Sequence, residues 1–260
     1  MLAVERRKRI VDFLNEYRHA NVSTLSSMLS VAEVTIRKDL EMLEDEGVLQ
    51  RTHGGAVLKE APVRNPAGVT YQDQFAEEKK KIAYIAARCI PDGAVIFLSH
   101  GSVCQHIARM IKEKHNLTVV TNNLLVMSEL HNCSDIDLIA LGGNVLSNGD
   151  NIGMFGADTA GAIKNLFFDI SFLSVDAIHR DYGYMVAKKE YAEVIRAAMG
   201  ASAEKYVVAD SSRFDKRSML KLCDFEAIDK VITDENIADE FKELCFTGNK
   251  QLLTTINFEP

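Results

Sequence analysis

The chemistry in this chain is concentrated where short apolar segments stop. Ala94–Leu98 is followed by Ser99-His100-Gly101-Ser102 and then a helical stretch, which gathers two hydroxyls and several amide N–H groups at a helix N-terminus. That arrangement suits an anion, because the first N–H groups of a helix have no partner within it. Later apolar segments end in Thr121-Asn122-Asn123, Gly142-Gly143, Asp176, Asp210-Ser211-Ser212-Arg213 and Asp234. A phosphate calls for N–H groups and a cation, which Ser102 and Arg213 bring. A sugar calls for amides and carboxylates, which Asn122, Asn123, Asp176 and Asp210 bring. Any one of these ends alone would be an ordinary polar loop. Together they predict a polyol-phosphate pocket.

Other chemistry has less to stand on. The chain holds no G-x-x-x-x-G-K-[ST], no G-x-S-x-G and no H-E-x-x-H. Asp176 and Glu190 are candidates for the carboxylate base that an aldose–ketose isomerisation would need. His100, Cys104 and His106 lie close in sequence, but two residues apart on a helix means different faces. No metal and no cofactor are expected. The five cysteines are scattered and never form C-x-x-C, which suits a reducing compartment. Without a signal segment or an apolar run of ~18 residues, the expected location is the cytoplasm, away from membranes.

The elements that must position these groups alternate. Ala94–Leu98, Leu117–Thr121, Ile136–Leu141, Ile170–Val175, Lys205–Ala209 and Lys230–Thr233 read as strands, with helices such as Val103–Lys114 and Lys189–Ala201 between most of them. Alternation of this kind predicts a parallel α/β sheet covered by helices, with ligands beyond the carboxyl ends of its strands. At 260 residues the chain has room for a second domain. A proline- and glycine-containing stretch, Ala61-Pro62-Val63-Arg64-Asn65-Pro66-Ala67-Gly68, marks the linker. The expected division is 1–59, a linker at 60–74, and 75–260.

Charge follows the same division. A net charge of −7 would argue against nucleic acid if the chain were one body. Residues 1–59, however, hold nine basic and nine acidic side chains, so the whole excess of acid lies downstream. In this first part Ile10, Phe13, Leu14 and Tyr17 form one apolar helical stripe. Ser23 is the expected N-cap of a short helix buried through Leu25, Met28 and Leu29. After a turn at Ser30, a third helix from Glu33 to Glu46 buries Ile36, Leu40 and Leu43 and ends at Gly47. Its opposite face carries Val34, Lys38 and Glu41, flanked by Thr35 and Arg37. A hairpin follows, 48–52 and 56–58, turning at His53-Gly54-Gly55 with Arg51 beside the turn. A short helix, a tight turn, a helix with a Thr/Arg/Lys face and a hairpin describe a winged helix-turn-helix, whose basic groups Arg6–Arg9, Arg37, Lys38 and Arg51 would face DNA.

The run Val31-Ala32-Glu33-Val34-Thr35-Ile36-Arg37-Lys38-Asp39-Leu40, with Gly47, Leu49, Arg51 and His53-Gly54-Gly55-Ala56, closely resembles the DeoR-type winged helix-turn-helix of regulators of bacterial carbohydrate operons. The resemblance implies that Thr35, Arg37 and Lys38 enter the major groove with Arg51 and His53 near the backbone. It extends through Glu78-Lys79, Pro91-Asp92-Gly93, Val120-Thr121-Asn122, Leu141-Gly142-Gly143 and Asp210-Ser211-Ser212-Arg213-Phe214 to the family's sensor domain. That implies a fold like ribose-5-phosphate isomerase and a phosphorylated sugar as effector.

The chain departs from the family pattern in several places. Ala32 stands where the family has a serine N-cap; losing it costs roughly 1 kcal/mol, and Ser30 with Glu33 has the spacing of a compensating capping box. The family's D-x-G-T-T is Ser99-His100-Gly101-Ser102-Val103 here, its D-S-S-K ends in Arg213, and its lysine after a Glu-Val pair is Ile195. The resulting expectation is a regulator, most simply a repressor, that binds double-stranded operator DNA as a dimer or tetramer under the control of a phosphorylated sugar. Two alternatives stand beside it: the same regulator with a degenerate pocket used only for oligomerisation, and an isomerase-like enzyme.

Overall fold

The computed structural model describes residues 3–17, 19–45, 49–52, 54–58, 75–148, 151–247 and 251–254. The expected linker at 60–74, Gly47 and His53 lie outside the described residues. By its internal contacts the chain divides into two compact units, Met1–Gln72 and Asp73–Pro260.

The first unit is built on three helices and a three-stranded sheet. Helix α1 is Ala3–Tyr17, α2 is Val22–Leu29 and α3 is Glu33–Asp45. The apolar stripes read from the sequence meet in one core: Ile10 and Leu14 from α1, Leu25 and Leu29 from α2, and Ile36, Leu40 and Leu43 from α3. Met28 is exposed rather than buried, since it falls off the Leu25–Leu29 side. Ser23 is not the N-cap. Helix α2 begins one residue earlier, with Asn21 in extended backbone as its cap, so Ser23 sits exposed in the first turn. Nor does a Ser30–Glu33 capping box form. Ser30 adopts a left-handed conformation, φ 54° and ψ 45°, and closes α2 by donating its N–H to the Ser26 carbonyl. The turn is held instead by the Ser26 hydroxyl donating to the Val31 carbonyl at 2.6 Å.

The hairpin consists of β2 (Leu49–Thr52) and β3 (Gly55–Leu58), and its other edge is covered by β1 (His19–Asn21), a strand too short to announce itself by alternation. This strand explains Gly55. A Cβ there would lie 2.0 Å from the Ala20 carbonyl oxygen, so the close backbone approach is to β1.

The second unit contains a seven-stranded sheet, every neighbouring pair of which is parallel. Its strands are β4 (Val95–Leu98), β5 (Leu117–Thr121), β6 (Ile136–Ala140), β9 (Phe168–Leu173), β12 (Ser202–Val208), β14 (Lys230–Ile232) and β15 (Gln251–Leu253), in the order β15-β14-β12-β9-β4-β5-β6. Runs such as Val-Ile-Phe-Leu in β4 are continuously apolar because helices cover both faces of the sheet. Helices α4 (Ala76–Arg88), α5 (Ser102–Met110) and α6 (Leu124–Leu130) pack on one face around Ile82, Ile107 and Val126. On the other lie α7 (Ala157–Ile163), α8 (Lys189–Gly200) and α9 (Asp239–Thr247), around Ile163, Ile195 and Phe241. Two small antiparallel additions were not legible as strands in the sequence. One is the hairpin β7 (Asn144–Asn148) and β8 (Asn151–Phe155); the other joins β10 (Ala177–His179), β11 (Gly183–Val186) and β13 (Leu220–Cys223). Strand order runs outward in both directions from the β4–β9 pair. The crevice beyond their carboxyl ends is therefore the topological switch point, where such sheets bind ligands.

Candidate functional site

In the first unit, α3 presents the face the sequence predicts. Val34, Arg37 and Lys38 are exposed, Thr35 is half-buried, and Arg37 is tethered to Glu33 one turn back at 3.1 Å. On the hairpin, Arg51 is exposed and its N–H donates to Glu44 at 2.8 Å; the exposed Gly54 gives its carbonyl to the Val22 N–H at 2.9 Å. His53 is not among the described residues.

One member of the basic cluster at Arg6–Arg9 has another task. Arg6 reaches Asp39 with Nε at 2.5 Å and Nη2 at 3.1 Å, and the two side chains are only 12 % and 5 % exposed. The carboxylate holds the Arg6 pKa above its ordinary value through that hydrogen bond. Arg6 is thus a brace between α1 and α3 rather than a group facing DNA. The signal for it was Asp39, an acid sitting between Ile36 and Leu40 on an otherwise apolar flank.

In the second unit a small cavity opens at the switch point, lined by residues at and beyond the carboxyl ends of β4, β9 and β12 and by one residue of α4. His100, Gly101 and Ser102 line it from the β4 end, Asp176 from the β9 end, and Asp210 and Arg213 from the β12 end. Gly101 caps α5 with φ 114°, a conformation closed to most L side chains, and no side chain caps the helix in its place. The first N–H groups of α5 thus have no side-chain cap and lie at the cavity end of the helix, the arrangement that suits an anion.

Two polar lining residues, Lys79 and Ser174, are not among those the sequence assigns to the pocket, although Lys79 belongs to the motifs that carry the resemblance. Lys79 is only 3 % exposed, and its position was the signal: it lies three and four residues before the buried Ile82 and Ala83, a lysine on the apolar stripe of α4. Ser174 was hidden inside a strand assigned to 175, although β9 ends at Leu173.

The remaining residues named for the pocket support it without lining it. Ser99 is buried; its hydroxyl donates to the His100 carbonyl at 3.1 Å and accepts from the Ser174 N–H at 2.8 Å, tying β4 to β9 across the crevice. The Thr121 hydroxyl donates to the Leu98 carbonyl at 2.6 Å. Asn122 donates to the Met154 carbonyl at 2.9 Å. Asn123 caps α6 through Leu125 N–H and donates to the carbonyls of Ser99 and Gly101, so it fixes the loop that forms the α5 cap. Gly142 accepts from Thr159 at 2.7 Å, and Gly143 packs against the same hydroxyl. Asp234 accepts from the N–H groups of Ser211 and Asn236 and shapes the neighbouring loop. Ile195 is fully buried in the core. The substituted positions that do line the cavity are therefore Ser102, which keeps a hydroxyl, Val103 and Arg213.

The charges are balanced: Lys79 and Arg213 against Asp176 and Asp210. Asp210 accepts from the Ser212 N–H at 3.1 Å and has Arg213 at 4.0 Å, while Asp176 accepts from the Ala187 N–H at 2.7 Å. Glu190 is exposed on α8. His100 is packed against Tyr191, with centroids 4.4 Å apart, and Phe155 at 5.3 Å, and its Nδ1 is buried without a partner. Burial pushes its pKa down to about 4, with Asp176 pulling in the opposite direction. In the unfolded chain this imidazole takes up a proton near pH 6.5. Its contribution to stability is thus complete above pH 6.5 and declines as the pH falls towards about 4, by at most ~1.4 kcal/mol per pH unit. Urea unfolding of the second unit between pH 7.5 and 4.5 should show this component in the native chain and lack it in His100→Phe. Equal pH slopes for the two proteins would show that His100 does not carry it.

Among the described residues no helix is long and apolar enough to cross a membrane, and no group of three His, Cys, Asp or Glu is placed to hold a metal. Residues 6–61 match the sequence profile of the DeoR-like helix-turn-helix domain, and residues 74–235 that of the DeoR C terminal sensor domain. A putative aga operon transcriptional repressor of Escherichia coli O157:H7 is 29 % identical over 252 residues, covering 96 % of this chain and 93 % of the relative. The glycerol-3-phosphate regulon repressor of Escherichia coli K12 is 29 % identical over 237 residues, covering 90 % and 92 %. An L-fucose operon activator of Haemophilus influenzae is 28 % identical over 240 residues, covering 92 % and 95 %. Among solved structures, ribose 5-phosphate isomerase from Plasmodium falciparum superposes with a TM-score of 0.38 at 13 % identity, over 52 % of each chain.

Proposed function

Because the chain belongs to the DeoR family of helix-turn-helix regulators, we propose that it is a repressor of a carbohydrate transport and catabolism operon, controlled by a phosphorylated sugar. The observation that carries this reading is the pairing of two surfaces in one chain. One is the α3 face with Val34, Arg37 and Lys38 exposed and Thr35 half-buried among them; the other is a cavity lined by an uncapped helix N-terminus, a buried lysine, an arginine and two carboxylates. The relatives' names include repressors and one activator; repression is the simpler case, since a bound protein needs no further contact to block a promoter. The chain would act as a dimer or tetramer, because one recognition helix reads few base pairs and two half-sites multiply specificity.

Two features favour a working pocket over a degenerate one. Ser99 and Ile195, both departures from the family pattern, serve the fold and leave the two cations Lys79 and Arg213 in the lining. The isomerase reading loses one of its two candidate bases, since Glu190 is exposed on α8 and only Asp176 of the two lines the cavity, and it lacks the family's acid at Ser99 and lysine at Arg213.

The DNA-binding half is tested by Arg37→Ala. The i,i+4 tether to Glu33 is exposed and worth only ~0.3–0.5 kcal/mol, so Arg37 leaves it readily for a base edge. Specific operator affinity, measured by gel shift at fixed salt, should fall by ~1–3 kcal/mol while non-specific affinity changes little. Unchanged specific affinity would mean that α3 reads the groove with another face.

A further inference from the structure

We propose that Val34 reads the C5 methyl group of a thymine in the major groove of the operator. This inference rests on the DNA-binding reading of α3. Val34 is the second residue of α3 and is 63 % exposed, more than any other large apolar side chain described in the first unit. Recognition helices touch base edges with their N-terminal residues, which is where Val34 stands. A β-branched side chain at an exposed helical position loses χ1 freedom and gains no packing in return. The residue is therefore costly to the helix unless something covers it.

The surroundings say what that covering is. Lys38 lies one turn on, on the same side, and Thr35 and Arg37 flank it. Lys38 and Arg37 offer only donors; of the neighbours Thr35 alone carries a methyl group, and it is half-buried, so the exposed apolar contact on this face is Val34. Thymine alone among the four bases presents a methyl in the major groove, and an apolar side chain is its complement. An apolar protein partner finds no continuous patch here. Met28 belongs to α2, and Met42 lies two turns along α3 with its sulfur accepting from Arg7 at 3.1 Å.

The test uses the full chain and an operator obtained by in vitro selection, with each thymine replaced in turn by uracil, which removes only the methyl. At one thymine per half-site the native protein should lose roughly 4-fold in affinity, the worth of one buried methyl. Val34→Ala should bind the unmodified operator about as weakly as the native protein binds that uracil operator, and should be indifferent to the replacement. Alanine is the better helix former, so the variant keeps the fold. If every uracil costs the two proteins the same, the proposal is overturned and the DNA-binding reading stands. If the native protein selects no sequence at all, both fall together.

Discussion

Arg6→Ala is expected to lower the unfolding transition of the first unit by roughly 12–24 °C and to abolish operator binding above it. The change leaves Asp39, 4 % exposed, as a buried carboxylate without its counter-charge. Breaking a buried pair from one side costs about 3–5 kcal/mol. The guanidinium keeps 12 % exposure, so the lower end, about 3 kcal/mol, applies. For a unit of this size ~1 kcal/mol moves the midpoint by about 4–8 °C, and small domains have little stability to spare. Scanning calorimetry of the full chain, which follows both units at once, checks the shift. The pair Arg6→Met with Asp39→Leu separates the two contributions of this brace. It should recover most of the stability, because an apolar pair of similar volume can replace buried ions. It should not recover full operator affinity if the fork of Arg6 also fixes how α3 leaves the core. A single variant as stable as the native chain would show that water reaches Asp39 and that the pair is only a surface contact.

The same pair shows why some of the site was legible and some was not. Apolar periodicity fixes which face of a helix is inward, so α1, α2, α3 and most strands of the sheet could be read from spacing alone. It assigns polar groups to the outside by default, and Arg6 and Lys79 are exceptions that only a partner or a cavity explains. Both left a trace: a charge on an apolar stripe. The cavity does open at the carboxyl ends of the strands, since a parallel sheet gathers its loops there. Which loop side chains face the cavity was not legible. Thr121, Asn122 and Asn123 follow β5, one strand away from the β4–β9 switch point, and spend their polar atoms tying its loops down. Strand order decides that, and strand order depends on pairings distant in sequence. Short strands such as β1 and β15, three residues each, carry too little alternation to be seen without their partners.

Arg213→Glu is expected to abolish the response to effector while leaving operator affinity where it was. The cavity holds Lys79 and Arg213 against Asp176 and Asp210, and the α5 N-terminus adds partial positive charge. A dianionic phosphate fits that balance only while both cations remain. Reversing one of them turns the lining net negative and removes a charge-assisted bond worth ~1.5–3 kcal/mol. Calorimetric titration with a panel of phosphorylated sugars and polyols should show a loss of roughly 10- to 100-fold or more for whichever compound the native protein binds, by about 1.4 kcal/mol per tenfold. Arg213→Lys, which restores the family's residue, should retain most of the affinity, since it keeps the charge and gives up only the fork. Lys79→Met should lose affinity like the glutamate variant, because its ammonium is sealed in the wall of the same cavity. All three substitutions lie in the second unit, so gel shifts without effector should match the native protein. Loss of operator binding and effector binding together would assign Arg213 and Lys79 to the fold. Retention of full effector affinity by both Arg213→Glu and Lys79→Met would move the anion site away from the switch point altogether.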